Sequence, residues 1–126
     1  MTFGDLLKRF REERQLSLRE LAKLMGIDHA HLYRLETGEK ESPSSELLIT
    51  LSRTLKLDAR RSHIFRFMVG HSTDEQLIDI AIQNHDIPLV DFESAASMSF
   101  RGKRPNSKEA WVKVLNQIRE IREEVE

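Results

Sequence analysis

The sequence predicts an all-α protein, with five short helices up to about residue 70 and a helical C-terminal extension over 71–126. Three features carry this reading. Apolar residues recur at steps of three and four through most of the chain. Ser, Thr or Asp stands at the head of the periodic segments, and Gly closes several of them. Ser17 to Gly38, SLRELAKLMGIDHAHLYRLETG, holds two such segments joined by a tight turn, the shape of a helix-turn-helix.

The first helix is expected over roughly Asp5 to Gln15, preceded by Thr2 or Gly4, with Phe3, Leu6, Leu7 and Phe10 inward and Lys8, Arg9 and Arg14 outside. The second should run from Leu18 to Met25. Ser17 and Glu20 are spaced for a capping box, Leu16 and Leu21 for a hydrophobic staple, and Gly26 supplies the positive φ that ends a helix at low cost. Asp28 then caps a third helix, with Ile27 stapled against Leu32. Leu32 and Leu35 point to the core, which leaves His29, Ala30, Tyr33, Arg34 and Thr37 on the opposite, solvent-facing side. After the polar turn Glu39 to Ser45, a fourth helix spans about Ser45 to Leu55 and buries Leu47, Leu48, Leu51 and Leu55. A fifth, capped by Asp58, holds Ile64, Phe65, Phe67 and Met68 and ends at Gly70.

Beyond Gly70, Ser72 and Glu75 suggest a capping box ahead of an amphipathic helix with Leu77, Ile78, Ala81 and Ile82, stopping before Asp86-Ile87-Pro88. Asp91 to Met98 reads as a short helix, with a strand at Leu89 to Phe92 as the open alternative. Ser99 to Ser107 is a basic loop containing Gly and Pro. Lys108 to about Glu124 is a helix whose stripe Trp111, Val114, Ile118, Ile121 and Val125 is widened by Val112 and Leu115. Two heptads are too few for a free-standing coiled coil, so the stripe packs on its own domain, or Trp111, Val114, Leu115, Ile118 and Ile121 form a dimer seam.

Composition and charge narrow the function classes. Of the 126 residues, 33% are charged and 39% hydrophobic, as in soluble globular proteins, and no apolar run approaches membrane-spanning length. Lys8, Arg9, Arg11, Glu12 and Glu13 interrupt any secretory leader, and the absence of cysteine fits a reducing, cytoplasmic setting. Met1 to Arg66 holds 13 Lys and Arg against 10 Asp and Glu, net +3, whereas the remainder is net −4. The helix-turn-helix lies in the positive half. Catalytic and metal readings find little footing, and no cofactor is expected. His29 and His31 are two apart on a helix and point in different directions, and His63, His71 and His85 lack a second ligand at i+4. His-Glu-x-x-His, a glycine-rich phosphate loop and a serine elbow are all missing.

From Phe3 to Leu57 the chain resembles the phage repressor/Cro (XRE-type) helix-turn-helix proteins. The resemblance rests on Arg11, Leu16-Ser17, Glu20-Leu21-Ala22, Gly26, Leu35-Glu36 and Gly38, in register over some forty residues. It implies a five-helix lambda-repressor-like DNA-binding domain over 1–70, with 71–126 serving dimerisation or a partner. It also implies a structural ion pair between Arg11 and Glu36. The face His29, Ala30, Tyr33, Arg34 and Thr37 is the side that this family offers to the major groove of double-stranded DNA. There Arg34 suits guanine O6 and N7 or a phosphate, unless it is spent on a surface pair with Glu36 or Asp28. Ala30 suits a thymine methyl group, and Tyr33 a phosphate or the edge of the core. Arg19 and Lys40 are the expected phosphate contacts.

Two departures from the family pattern stand out. Leu18 replaces the polar residue, often glutamine, that follows the cap in relatives, and Glu39 and Glu41 stand where relatives tend to carry Lys and should repel phosphates. The resemblance points to a dimeric repressor on a two-fold operator. Two alternatives stay open. One is an antitoxin or interaction module with autoregulatory DNA binding, its tail gripping a toxin. The other is a mobile-element immunity repressor whose C-terminal region is cut by a dedicated metalloprotease, with Ser99 to Ser107 accessible to it.

Overall fold

The structure is a computed structural model that describes residues 1–39 and 42–125, and over these it is all-helical. In order the helices are α1 Phe3–Glu13, α2 Leu18–Met25, α3 His29–Thr37, α4 Ser45–Thr54, α5 Ala59–Phe67, α6 Glu75–Gln83, α7 Leu89–Ala96 and α8 Lys108–Val125. The chain forms two compact units, Met1–Ser72 and Thr73–Glu126.

In the first unit α1 packs on α3 and α5, and α2 on α3 and α4. Phe65 joins the ends of α1, its ring stacked on Phe3 at 4.6 Å and meeting Phe10 edge-on at 5.7 Å. Leu6, Leu7, Leu21, Leu32, Leu35 and Leu51 close around this aromatic centre, each fully enclosed. Such side chains stabilise the fold by about 1.5–3 kcal/mol each relative to exposure.

The caps explain the helix boundaries. Thr2 accepts from the Asp5 backbone N–H while Asp5 accepts from that of Thr2, so α1 starts at Phe3, two residues ahead of the sequence expectation. Ser17 and Glu20 make the same reciprocal pair at the head of α2. Asp28 caps α3 through Ala30 N, Ser44 caps α4 through Leu47 N, and Asp58 caps α5 through Arg61 N. Gly26 takes φ +70° at the end of α2. The ends of α1 and α4 use the same left-handed turn without glycine, at Gln15 and Lys56. At the first, the N–H groups of Gln15 and Leu16 return to Glu12 O and Arg11 O, which leaves fewer carbonyls unpaired.

The second unit packs α6, α7 and α8 on one another. Leu77, Ile78, Ala81, Phe92, Ala95 and Trp111 are its most enclosed side chains. Leu89 to Phe92 is helical, in α7. The expected capping box of Ser72 with Glu75 does not form. Asp74 occupies the cap position of α6 and makes no capping bond, because its carboxylate accepts from the Trp111 indole N–H at 3.2 Å and from Arg104 at 3.3 Å. Arg104 also lies 5.4 Å from the ring centres of both Phe100 and Trp111, which ties the 99–107 loop to α8. Asp91, 2% exposed, is held by the Arg122 guanidinium at 2.8 and 3.3 Å.

The α8 stripe divides. Trp111 and Leu115, expected at a dimer seam, are 0% and 5% exposed within the core of their own unit, so they are not available to a second chain. Two heptads on a small three-helix unit leave its core dependent on these residues. Val114 and Ile118 are half-buried, and Ile121 and Val125 are open to solvent.

The Ser17 backbone N–H, and then its hydroxyl, hold the Glu20 carboxyl below its ordinary 4.5. A carboxyl lowered by folding stabilises the native state above its unfolded pKa, and the contribution is lost as pH falls through the lowered value. The stability advantage of the native chain over a Glu20→Gln variant should therefore shrink on acidification below pH 4.5. Urea titrations at a series of pH values check this, and parallel curves would show that the cap charge contributes nothing.

Candidate nucleic-acid interface

Helix α3 presents two faces with separate duties. Leu32 and Leu35 are buried beneath it, while His29, Tyr33, Arg34 and Thr37 are exposed and Ala30 is half-buried. The five candidate contact residues of this outward face share one helix, and Arg19 stands on α2. The Asp28 cap opens α3 at the end where His29 and Ala30 stand, and Gly38 closes it at φ +84°.

The pose of this helix is set from behind by Arg11. Its Nε and Nη2 donate to the two Glu36 carboxylate oxygens at 2.7 and 2.9 Å, a fork-to-fork geometry. Its Nη1 donates to Leu16 O at 2.9 Å, in the turn before the Ser17 cap. One guanidinium therefore joins α1, the start of α2 and the last turn of α3. The side chains are only 12% and 7% exposed, and the bond to Glu36 raises the Arg11 pKa further above its ordinary value.

Gly4 contributes in a way the sequence did not signal. A Cβ at this position would stand 2.3 Å from Glu36 O and 2.7 Å from Leu35 O, so only glycine lets α1 meet the end of α3 backbone to backbone. Arg14 acts on a second helix. It donates to Leu55 O at 2.8 Å and Lys56 O at 3.1 Å, supplying partners to carbonyls at the end of α4. Neither role has a local signature, since both depend on what folding brings alongside.

The exposed residues differ in how far they are already engaged. Thr37 donates its hydroxyl to Arg34 O at 3.3 Å, leaving it chiefly an acceptor. The Asp28 carboxylate caps Ala30 N and lies 3.7 Å from His29 Nδ1. With Asp28 and Glu36 both occupied, the surface pairs open to Arg34 in the sequence do not form, and its guanidinium has no ion-pair partner among the described residues. Arg19, in the first turn of α2, is likewise exposed and without a described partner. Glu39 is exposed just after Gly38. Lys40 and Glu41, the other expected residues of this turn, lie outside the described residues.

Among the described residues no three His, Asp or Glu side chains converge so as to hold a metal ion, and no helix is long and apolar enough to cross a membrane. Residues 2–63 match the family model of the helix-turn-helix domain. Over 56 residues, 44% of the chain, the sequence is 34% identical to the HTH-type transcriptional repressor RghR of Bacillus subtilis (strain 168). The match spans 42% of that protein's length.

Removing one partner of the Arg11–Glu36 pair leaves a buried charge uncompensated. Glu36→Ala should lower unfolding stability by about 3–5 kcal/mol. Chemical denaturation of the full chain measures this, and a loss below about 1 kcal/mol would place the pair in the energetic class of solvent-exposed bridges.

Proposed function

We propose that this chain, whose residues 2–63 are an XRE-type helix-turn-helix domain, is a DNA-binding transcriptional regulator acting as a dimeric repressor on a two-fold operator. The observation that carries the proposal is Arg34: an exposed guanidinium on the outward face of α3, without an ion-pair partner among the described residues, on the same helix as His29, Ala30 and Tyr33. A guanidinium free of intramolecular partners can form the bidentate bond to guanine O6 and N7 at little cost, and α3 is the element that this domain type lays in the major groove. His29 and Ala30, at the start of the helix, read neighbouring base edges. Arg19 meets the phosphate backbone, with Tyr33 and Thr37 assisting from α3. The repressor sense follows that of the RghR relative, an HTH-type transcriptional repressor.

The second unit supplies the pairing. Ile121 is 63% exposed and continues, with Val125, the half-buried Val114 and Ile118 along α8. Two α8 helices meeting along this strip bury apolar surface that a lone chain leaves in water. Such a dimer brings two copies of the first unit into one molecule, as a two-fold operator requires. The protein works in the cytoplasm with double-stranded DNA as its partner.

Selection from a random duplex pool with the full chain tests the reading as a whole: it expects one enriched motif with two-fold symmetry, and an unenriched pool would refute it. On the selected site, Arg34→Ala should weaken binding by about 1–3 kcal/mol and relax preference at one base pair per half-site. An equal loss on every duplex would instead assign Arg34 to a phosphate.

For assembly, Ile121→Asp should yield monomers by sedimentation while helix content stays at the native level, because this side chain lies outside the core of its unit. A dimer that persists and selects the same two-fold motif would move the interface off α8.

A further inference from the structure

The second unit contains a half-open cleft of about 190 Å³ between the end of α6, the turn leading into α7, and the middle of α8. Ile80, Ile87, Val112 and Leu115 give it an apolar lining. Two opposite charges share it, Asp86 from the turn and Arg119 from α8, both exposed. Neither has a described hydrogen-bond or ion-pair partner for its side chain, in a unit where Asp74, Asp91, Arg104 and Arg122 all do. The buried Asp91 also borders the cleft, but its charge is already matched by Arg122.

We propose that this cleft binds a small zwitterion, an α-amino acid with a branched aliphatic side chain. Arg119 takes the carboxylate on its planar fork, Asp86 takes the ammonium, and the side chain enters the apolar lining. Size agrees with this occupant. An apolar cavity of about 150 Å³ accommodates a benzene ring, so the cleft takes a four-carbon side chain with the charged head at its mouth. A bare hydrocarbon would leave both charges unused, and a dianion or dication would face one charge of its own sign. Bound there, the ligand bridges the α6–α7 turn to α8. The assignment rests on the second unit alone and is independent of DNA binding by the first.

Isothermal titration of the full chain with L-leucine and L-valine tests the proposal. Two analogues accompany them: 4-methylpentanoate, which lacks the ammonium, and 3-methylbutylamine, which lacks the carboxylate. L-leucine should bind with a dissociation constant of roughly 10 μM to 1 mM, as befits so small a ligand, and each analogue should bind about tenfold more weakly or worse. Arg119→Gln and Asp86→Asn, both at exposed positions, should each weaken L-leucine by about tenfold or more. Absence of binding by both amino acids would overturn the proposal. Analogues that match L-leucine, or variants that bind it as the native chain does, would overturn it as well.

Discussion

The first unit depends on a single guanidinium. Arg11 closes two bonds on Glu36 and a third on the Leu16 carbonyl, so the end of α3, the start of α2 and the body of α1 share one charged node. A buried pair of this kind repays its desolvation only when its geometry is good and its other donors are used, and here both conditions hold. The packing around it is equally exacting. Gly4 brings the α1 backbone against the Leu35 and Glu36 carbonyls, where any side chain would force the helices apart and misalign the fork. Through this arrangement the outward residues of α3 are aimed by groups that are themselves largely buried. Occupying Glu36 also keeps it away from Arg34, so the bond that fixes the helix leaves its outward arginine unclaimed.

What could be read from the sequence follows the range of the forces involved. The caps at Ser17, Asp28 and Asp58 were legible because a side chain bonding a backbone N–H two or three residues away is written in adjacent letters. The division of α3 into buried Leu32 and Leu35 against exposed His29, Tyr33 and Arg34 followed from helical period alone. The capping box at Ser72 and Glu75 failed for a reason outside its own segment: the cap carboxylate, Asp74, is drawn off by Arg104 and Trp111, 30 and 37 residues downstream. The α8 stripe was legible as an apolar face, but period cannot say what covers a face, and Trp111 and Leu115 turned out to be covered by their own unit. Gly4 and Arg14 left no trace in the sequence, since a close approach and a borrowed cap exist only between elements.

The two units solve the problem of small size differently. The first closes an aromatic and leucine core and accepts left-handed residues at Gln15 and Lys56 to stop its helices. The second has three helices and fewer core side chains, and where the first carries the single Arg11–Glu36 node it uses two charged contacts: Asp91 under Arg122, and Asp74 bridging Arg104 and the Trp111 indole. The loop before α8 is drawn into the same device by Arg104 lying against Phe100 and Trp111. A long connection thereby acquires defined contacts without secondary structure of its own.

Trp111 is the only tryptophan of the chain and Tyr33 the only tyrosine, and they fall in different units. The indole is sealed in a core with its N–H bonded to a carboxylate, so its emission shifts when α8 leaves α6 and α7. The phenol stands exposed on α3, where its absorbance responds to whatever lies against that helix. The molecule thus carries two native optical probes, one for the integrity of its C-terminal half and one for occupancy of its outward helix. Each can be followed in the unmodified chain without a label.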